Sequence, residues 1–452
     1  MAEYARREKS EQQLQQLNEA LRSGRLQPVK RILNALSAGE IADLLESLPP
    51  NRRAVVWDLT DASLDGDILV HLNDEVRASV IETTEDAELI QATTELELDD
   101  LADIINDLPD EVTEQVLKVM DRKDRERLES VLLFPEDSAG GMMNPEVITV
   151  RADVTLDVVL RFLRRRGSLP SMIDHLFVID RYGHYIGRLA LSDLLTRDPH
   201  LTVRETLDSE VPAINVNTPA SEVASAFEHQ DWVTAPVVDD RNQLVGTITI
   251  DDVVDVIREE AEHNVLAMAG LDEENDMFAP VLASSRRRAV FLGLNLVTAL
   301  FASYFISIFG ATIERVVALA ILMPAVASMG GIAGTQTLTL IVRGMALGQV
   351  GTGNTGPLLS RELAIGFFNG LLWALVIALV AIFWFHDSKL AIVVATAIFL
   401  NLLAGAAAGV FVPMVLRRID VDPALAGGMV LTTVTDVVGF VSILGLGTLL
   451  LT

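Results

Sequence analysis

Asp436 is the side chain best suited to binding a metal ion, because it lies deep within a long apolar stretch. Thr432 and Thr433 precede it by four and three residues, which puts all three on one face of a helix. A carboxylate flanked by hydroxyl oxygens offers the hard ligands that suit Mg2+, an ion that keeps several of its waters. An acid at the centre of a span costs about 2.5–3.5 kcal/mol and faces an aqueous pathway or a partner. We therefore interpret Asp436 as a cation site, with a protonated structural aspartate as the alternative.

Five apolar stretches in the C-terminal part of the chain must position Asp436. Each exceeds the roughly 20 residues that a helix needs to cross the hydrocarbon of a bilayer. None contains a Lys or Arg that could pair with the acid. We therefore predict a membrane domain with five spans in a lipid bilayer. The predicted spans are Ala289–Phe309, Val316–Val342, Leu363–Phe385, Leu390–Leu416 and Ala424–Leu451.

Glycines and prolines occur inside these spans. Gly330, Gly331 and Gly334 follow Pro324 in the second span, and Pro413 lies in the fourth. Small residues allow two helices to approach closely, so we interpret the glycines as packing positions. We interpret the prolines as kinks.

The loops between the spans predict the orientation of the domain. Arginines concentrate before the first span, between the second and third, and after the fourth, whereas the other two loops hold only Arg315 and Lys389. The positive-inside rule then places the arginine-rich loops in the cytoplasm. The charged N-terminus has no apolar leader, so we expect the N-terminal part to remain there as well. Five spans put Thr452 at the outer face.

Charge divides the chain into two parts. Residues 1–284 contain 57 acids and 26 bases, a net charge of −31, whereas residues 285–452 have a net charge of +3. Such acidity repels nucleic acid, and it either attracts cations or simply aids solubility. There is no cysteine, which excludes disulfides and thiolate metal sites. A phosphate-binding loop, a nucleophile–base pair and histidines at metal-binding spacing are also missing, so we do not expect an enzyme.

Residues 10–134 have the pattern of a series of short helices. Ser37 followed by Glu40 predicts a capping box at the start of one of them. The segment Leu44–Pro49 resembles Ile104–Pro109, and in each a helix is expected to end before the proline. These imperfect repeats predict a helical superhelix.

Residues 138–258 contain a second kind of repeat. Short Val- and Ile-rich runs alternate with helical stretches, and three equivalent pairs are each 59 residues apart. Two strands, a tight turn and a helix form the predicted unit. The equivalent pairs are Asp180 with Asp239, Gly187 with Gly246, and Asp193 with Asp252.

This repeat resembles a tandem pair of CBS domains, and the whole chain resembles the MgtE family of magnesium channels. The similarity rests on the order of the domains, on the stretch from Pro324 to Gln336, and on Thr432-Thr433-Val434-Thr435-Asp436. It implies an all-α cytoplasmic N domain, an α/β CBS pair, a connecting plug helix and a five-helix α transmembrane domain. The expected boundaries are 1–136, 137–200, 201–258, 259–284 and 285–452.

The resemblance also implies a function and its sites. We expect a Mg2+ channel or transporter of the cell's inner membrane, built as a homodimer with its pore on the two-fold axis. Asp436 from both chains would bind a largely hydrated Mg2+, and cytoplasmic Mg2+ would close the pore through the N and CBS domains. ATP is a further candidate ligand of the CBS pair. The residues implied to bind regulatory Mg2+ are Asp252, Asp255 and Glu260, with Asp251 and Glu259 beside them.

The sequence departs from the family pattern at two places. His263-Asn264 stands where relatives often have acids, and Ile332 replaces the Asn of a Gly-Asn-Ala-Gly motif. Two other hypotheses therefore stay open. One is a divalent cation transporter coupled to protons or Na+, with Asp436 as the carrier acid, and the other is a Mg2+ sensor that does not conduct.

Overall fold

The structure is a computed structural model in which the chain divides into two compact units. One unit holds the described residues up to Ala261 together with residues 276–279, and the other holds the described residues of 262–271 and 280–452. Part of the predicted connecting helix, residues 272–275, lies outside the described residues. The described residues are 14–23, 26–94, 96–167, 169–170, 172–271, 276–351 and 353–452.

The N-terminal part is a series of short helices that share one apolar core. Ser37 begins the second of them with the predicted capping box, in which its hydroxyl accepts from the Glu40 N–H at 3.4 Å. Pro49 and Pro109 each stand directly before a helix, so the predicted breaks are confirmed. The helices are α1 Leu26–Leu33, α2 Ala38–Glu46, α3 Pro50–Trp57, α4 Asp65–His71, α5 Asp74–Thr83, α6 Asp86–Thr94, α7 Leu98–Ile105, α8 Asp110–Val119 and α9 Arg122–Val131.

The two α/β repeats each contain a three-stranded sheet. In both, the first strand pairs parallel with the second, and the second pairs antiparallel with the third. The strands are β1 Thr149–Arg151, β2 His175–Ile179, β3 Tyr185–Ala190, β4 Ile214–Asn215, β5 Thr234–Val238 and β6 Leu244–Thr249. The helices are α10 Leu156–Arg166, α11 Leu191–Thr196, α12 Val203–Thr206, α13 Ala220–Gln230 and α14 Ile250–Ala267.

The turns confirm that the repeats are in register. The Asp180 carboxylate accepts from two backbone N–H groups two and four residues later, at 2.7 and 2.9 Å. The Asp239 carboxylate does the same at 2.9 and 2.8 Å. An aspartate that folds its own turn in this way explains why the same residue type recurs 59 positions later.

The helix that follows the second repeat is shorter than the predicted connector. It ends at Ala267, where Gly270 adopts a φ of +70° and the Leu271 N–H donates to the Leu266 carbonyl at 3.0 Å. A glycine in the left-handed region closes a helix in this manner because it carries no Cβ. The next helix begins at Val281 and continues without a break through the arginines at 286–288 into the first span.

The C-terminal unit consists of long apolar helices. Within the described residues, five helices are long and apolar enough to cross a membrane, as predicted. Asp387 and Asp422 cap two of them by accepting backbone N–H groups in the first turn. The helices are α15 Val281–Ile308, the short α16 Gly310–Arg315, α17 Val317–Ala346, α18 Thr355–Phe385, α19 Ser388–Arg418 and α20 Pro423–Leu451.

Helix α19 is the most buried of the spans and packs against α17, α18 and α20. Its N-terminal half contributes Val393, Val394 and Ala397 to an apolar core shared with α17 and α20. Helix α15 is exposed along nearly its whole length. The four helices α17 to α20 therefore form the packed body that holds Asp436.

Candidate functional site

Asp436 lies on α20 with its side chain partly exposed. Among the described residues, its carboxylate has no ion-pair or hydrogen-bond partner. Thr432 is exposed and Thr433 half-buried, and their hydroxyls donate to the carbonyls of Gly428 and Met429, both at 2.8 Å. Each hydroxyl proton is thereby used within the helix, while its oxygen lone pairs stay available to an ion or its waters. This exposed stripe of oxygens has the chemistry of a hydrated Mg2+ site.

The predicted packing glycines occupy different surroundings. A Cβ at Gly334 would come within 2.9 Å of Leu431 on α20, and one at Gly330 would overlap the Asn401 amide on α19. A Cβ at Gly331 would meet only the Thr435 hydroxyl at 3.9 Å. Gly330 and Gly334 therefore permit close helix packing, whereas Gly331 borders more open space.

Close approach at this crossing involves α19 as well. A Cβ at Gly405 would lie 2.6 Å from the Gly330 carbonyl oxygen, and one at Gly409 would lie 2.8 Å from that of Gly334. Two pairs of glycines thus bring the backbones of α17 and α19 into contact, as small residues do in membrane helices. Helix α20, which carries Asp436, packs against both of them.

Glu362 and Asn401 are among the polar side chains that are buried in this unit. Glu362 on α18 accepts a hydrogen bond from the Thr337 hydroxyl at 3.2 Å and pairs with the neighbouring Arg361 at 3.0 Å. Asn401 on α19 is fully buried and donates to the Val326 carbonyl at 2.8 Å. Sequence reasoning did not single out either residue, although a polar residue inside an apolar stretch is a visible signal.

A second candidate site is a cavity of about 140 Å³ in the unit that holds the described residues up to Ala261 and residues 276–279. Asn144 lines the cavity, and its side-chain amide donates to Glu97 at 2.9 Å and to Asp99 at 3.1 Å. The Asp252 carboxylate accepts from the Thr249 hydroxyl at 3.0 Å. The ionisable lining residues are six acids and one histidine: Glu97, Asp99, Asp100, Glu146, Asp251, Asp252 and His175.

Carboxylates around this cavity repel one another. Burial, followed by repulsion from Asp99 and Asp251, raises the pKa of Asp252 to about 8. Burial, followed by repulsion from neighbouring acids, raises the pKa of Asp100 and of Asp103 to about 7. Burial also raises the pKa of Asp99 to about 6. A cation placed among these carboxylates would reduce their repulsion.

The residues implied as regulatory ligands are spread along α14. Asp251 and Asp252 line the cavity, whereas Asp255, Glu259 and Glu260 are exposed further along the helix. Among the described residues, no three His, Cys, Asp or Glu side chains come close enough to hold one metal ion. Asp252 is instead accompanied by Asp99 of α7, a helix for which the sequence analysis predicts no site. The signal was the spacing of Asp99, Asp100 and Asp103, which puts like charges on one helix face.

The chain matches known families over nearly all of its parts. Residues 36–137 match the MgtE intracellular N domain, and residues 139–200 and 203–259 match CBS domains. Residues 323–446 match the MgtE family of divalent cation transporters, a stretch that contains Asp436.

Relatives of similar length are magnesium transporters. The chain is 30% identical over 440 residues to the magnesium transporter MgtE of Thermus thermophilus, covering 96% of this chain and 98% of that one. It is 28% identical over 428 residues to MgtE of Bacillus subtilis, covering 95% of each. A crystal structure of the cytosolic domain of the Mg2+ channel MgtE in complex with ATP is 33% identical, with a TM-score of 0.48, and covers 54% of this chain and 99% of that one. With its N domain, CBS pair and five membrane-spanning helices, this protein belongs to the MgtE family of magnesium transporters.

Proposed function

We propose that the protein conducts Mg2+ through a pore in which Asp436 binds the ion. The observation that supports this most directly is a carboxylate inside a membrane span that has no partner among the described residues and has threonine oxygens one turn earlier. An ionisable residue at this depth is retained at a cost, which points to a role in ion passage. The ion keeps most of its waters, since one carboxylate and two hydroxyls cannot complete an octahedral shell.

A homodimer with a shared pore fits this geometry best. One carboxylate leaves one of the two charges of Mg2+ uncompensated, whereas two carboxylates related by a two-fold axis balance both. The exposed side of α20 that carries Thr432 and Asp436 would then face the axis. The orientation that places the acidic unit in the cytoplasm agrees with the arginines of the short loops.

Replacing the pore acid tests this function. Asp436→Ala should abolish Mg2+ uptake by cells while leaving the amount of protein in the membrane unchanged. Glu314→Ala, which removes an exposed acid of the same unit, should keep normal uptake and serves as the control. Uptake by Asp436→Ala at the level of the unmodified protein would remove this residue from the mechanism.

We further propose that cytoplasmic Mg2+ closes the pore through the carboxylates around the cytosolic cavity. Asp99 on α7 raises the pKa of Asp252 on α14 by electrostatic repulsion, after the larger effect of burial. A divalent ion stabilises the arrangement that brings these carboxylates together. If that arrangement accompanies a closed pore, Mg2+ shifts the population towards closure, and low Mg2+ releases it.

The two related aspartates of the CBS pair provide a matched test of this regulation. Asp252 lies among acids, whereas its equivalent Asp193 pairs with Arg197 at 3.1 Å. Asp252→Asn should raise the cytoplasmic Mg2+ concentration that halves the flux, and Asp193→Asn should leave it unchanged. An unchanged inhibitory concentration in Asp252→Asn would contradict the proposed role of the cavity.

The same cavity is our candidate site for a nucleotide. Val147, Ile148 and Phe177 offer an apolar surface for a base, and the Asp252 carboxylate can accept from ribose hydroxyls. The described residues that line the cavity include no Lys or Arg, so phosphates would need a divalent ion as their counter-charge. Calorimetry on the full-length protein should therefore detect binding of ATP with Mg2+ present and much weaker binding in EDTA. Equal affinity under both conditions would contradict this assignment.

A further inference from the structure

Asn401 occupies the junction of three membrane helices. It lies on α19 and is fully buried, and its amide nitrogen donates to the Val326 carbonyl of α17 at 2.8 Å. On the other side, a Cβ at Gly439 of α20 would lie 2.8 Å from the same nitrogen. Gly330 of α17 forms the remaining wall of the socket, because any side chain there would overlap the amide. One side chain thus contacts both α17 and α20.

The amide of Asn401 does not favour the stability of the folded protein. The Oδ1 atom of Asn401 is buried and has no hydrogen-bond partner among the described residues. An acceptor left without a partner in an apolar interior is unfavourable, and an apolar residue of similar volume would avoid this cost. In some helical proteins, a single polar residue in the core fixes the register of the helices around it.

The register that Asn401 sets includes the proposed ion site. Gly439 lies three residues after Asp436, so both occupy adjacent turns of α20. The contact between α20 and the Asn401 amide therefore fixes the position of the Asp436 carboxylate along the axis of the span. The hydrogen bond to Val326 fixes α17 relative to the same point, one turn before Gly330.

We propose that Asn401 is a positioning residue that holds α17 and α20 in the register required for ion passage at Asp436. This inference rests on the proposed function, because it takes Asp436 as the ion site. In this proposal the hydrogen bond that Asn401 donates to Val326 sets the register of the helices, while the volume of the side chain only fills the space between them. A variant of equal volume without a donor separates these two contributions.

The test compares Asn401→Leu with Asn401→Asp in proteoliposomes. Leucine fills the socket but donates no hydrogen bond, so the Asp436 carboxylate would no longer be held in place by the surrounding helices. Mg2+ flux should therefore fall about tenfold or more, and discrimination between Mg2+ and Ca2+ should weaken. Its thermal unfolding midpoint should stay equal or rise. Aspartic acid, kept protonated by the apolar surroundings, still donates to Val326 and should retain most of the flux and the selectivity. Asn295→Leu is the control, because among the described residues the Asn295 amide donates only within α15, to the Phe291 carbonyl.

Each outcome bears on the proposal. Normal flux and selectivity in Asn401→Leu would overturn it, and so would equal losses in the Leu and Asp variants. A fall in flux that follows a fall in the unfolding midpoint would mean that the residue is only structural. Asp436→Asn is measured in the same preparation. If it conducts normally, the proposed ion site fails together with this inference, whereas an inactive Asp436→Asn beside a normal Asn401→Leu overturns the inference alone.

Discussion

Adjacent residues of α17 differ sharply in what they tolerate. Gly330 is enclosed by Asn401 and by the backbone of α19, while Gly331 borders space in which a methyl group meets only the Thr435 hydroxyl. Both glycines belong to the same sequence motif, and spacing alone gives no means to rank them. The distinction depends on which face of α17 meets its neighbours.

This contrast predicts opposite effects of the same substitution. Gly330→Ala should destabilise the membrane unit by about 1–3 kcal/mol through overpacking. Gly331→Ala should be neutral or slightly stabilising, because alanine has the higher helix propensity. Thermal unfolding of both variants in detergent measures the difference. Equal unfolding midpoints would show that the contact between α17 and α19 leaves room for a methyl group at Gly330, which would contradict this prediction.

The raised pKa of Asp252 leads to a second prediction at the residue scale. The folded state disfavours the ionised form, so the cost of ionisation is absent at acidic pH and develops as the pH rises towards about 8. Asp252→Asn removes this cost. In EDTA the variant should therefore be more stable than the unmodified protein at pH 8 and show little difference at acidic pH. An equal gain at both pH values would mean that packing, not charge, explains the effect.

Residues 276–279, which precede the first spanning helix, contact the N-terminal helices. Arg53 of α3 is fully buried and pairs with Asp276 at 2.8 Å, and it also donates to the carbonyls of Leu45 and Leu48. The Asp276 N–H donates to Glu75 at 2.7 Å. Five residues after Asp276 the first spanning helix begins at Val281. The N-terminal helices thus bind the segment from which that helix emerges.

Breaking this buried pair should be costly. Asp276→Ala leaves the Arg53 charge buried without its carboxylate partner. We expect the free energy of unfolding of the unit that contains the N-terminal helices to fall by about 3–5 kcal/mol. Glu126→Ala removes an exposed partner of Arg122 and should cost no more than about 0.5 kcal/mol. Urea unfolding followed by tryptophan fluorescence measures both. A small loss in Asp276→Ala would show that the segment is not held by this ion pair.

Elements with a strong local signal could be predicted from the sequence. The capping box at Ser37, the helix breaks at Pro49 and Pro109, the repeated turns and the five apolar helices each depend on neighbouring residues. The cavity depends on contacts distant in sequence, such as those of Asp99 with Asn144, and the socket at Asn401 depends on three different helices. The types and spacing of these residues are visible in the sequence, but no local pattern encodes their partners, which explains why these contacts were not predicted.

At the scale of the whole molecule, the excess of acids is confined to the first 284 residues, whose net charge is −31. Several of these acids line one cavity and have raised pKa values. In the metal-free protein, repulsion between them lowers the free energy of unfolding once they ionise. The same carboxylates, once ionised, provide a negative charge that attracts divalent cations. The proposed response to Mg2+ would therefore follow from the same charge distribution that makes this part of the chain acidic.

This leads to a prediction about pH and metal. In EDTA the unfolding midpoint of the full-length protein should fall as the pH rises from about 4 to about 8, because Asp99, Asp100 and Asp252 ionise near their ordinary pKa in the unfolded chain but only at about pH 6, 7 and 8 in the folded protein. Mg2+ should remove most of this dependence because it compensates the ionised carboxylates. Differential scanning calorimetry at several pH values provides the measurement. A fall of equal size with Mg2+ present would contradict the proposed regulatory site.

Mg2+ flux into proteoliposomes, with Mg2+ on the cytoplasmic side as the variable, tests the central claim most directly. The account predicts flux that follows the electrochemical gradient of Mg2+, is independent of pH and Na+ gradients, falls as cytoplasmic Mg2+ rises, and disappears in Asp436→Asn. Undiminished flux in Asp436→Asn would contradict the assignment of the pore site. Flux that requires a proton or Na+ gradient would instead identify a coupled transporter.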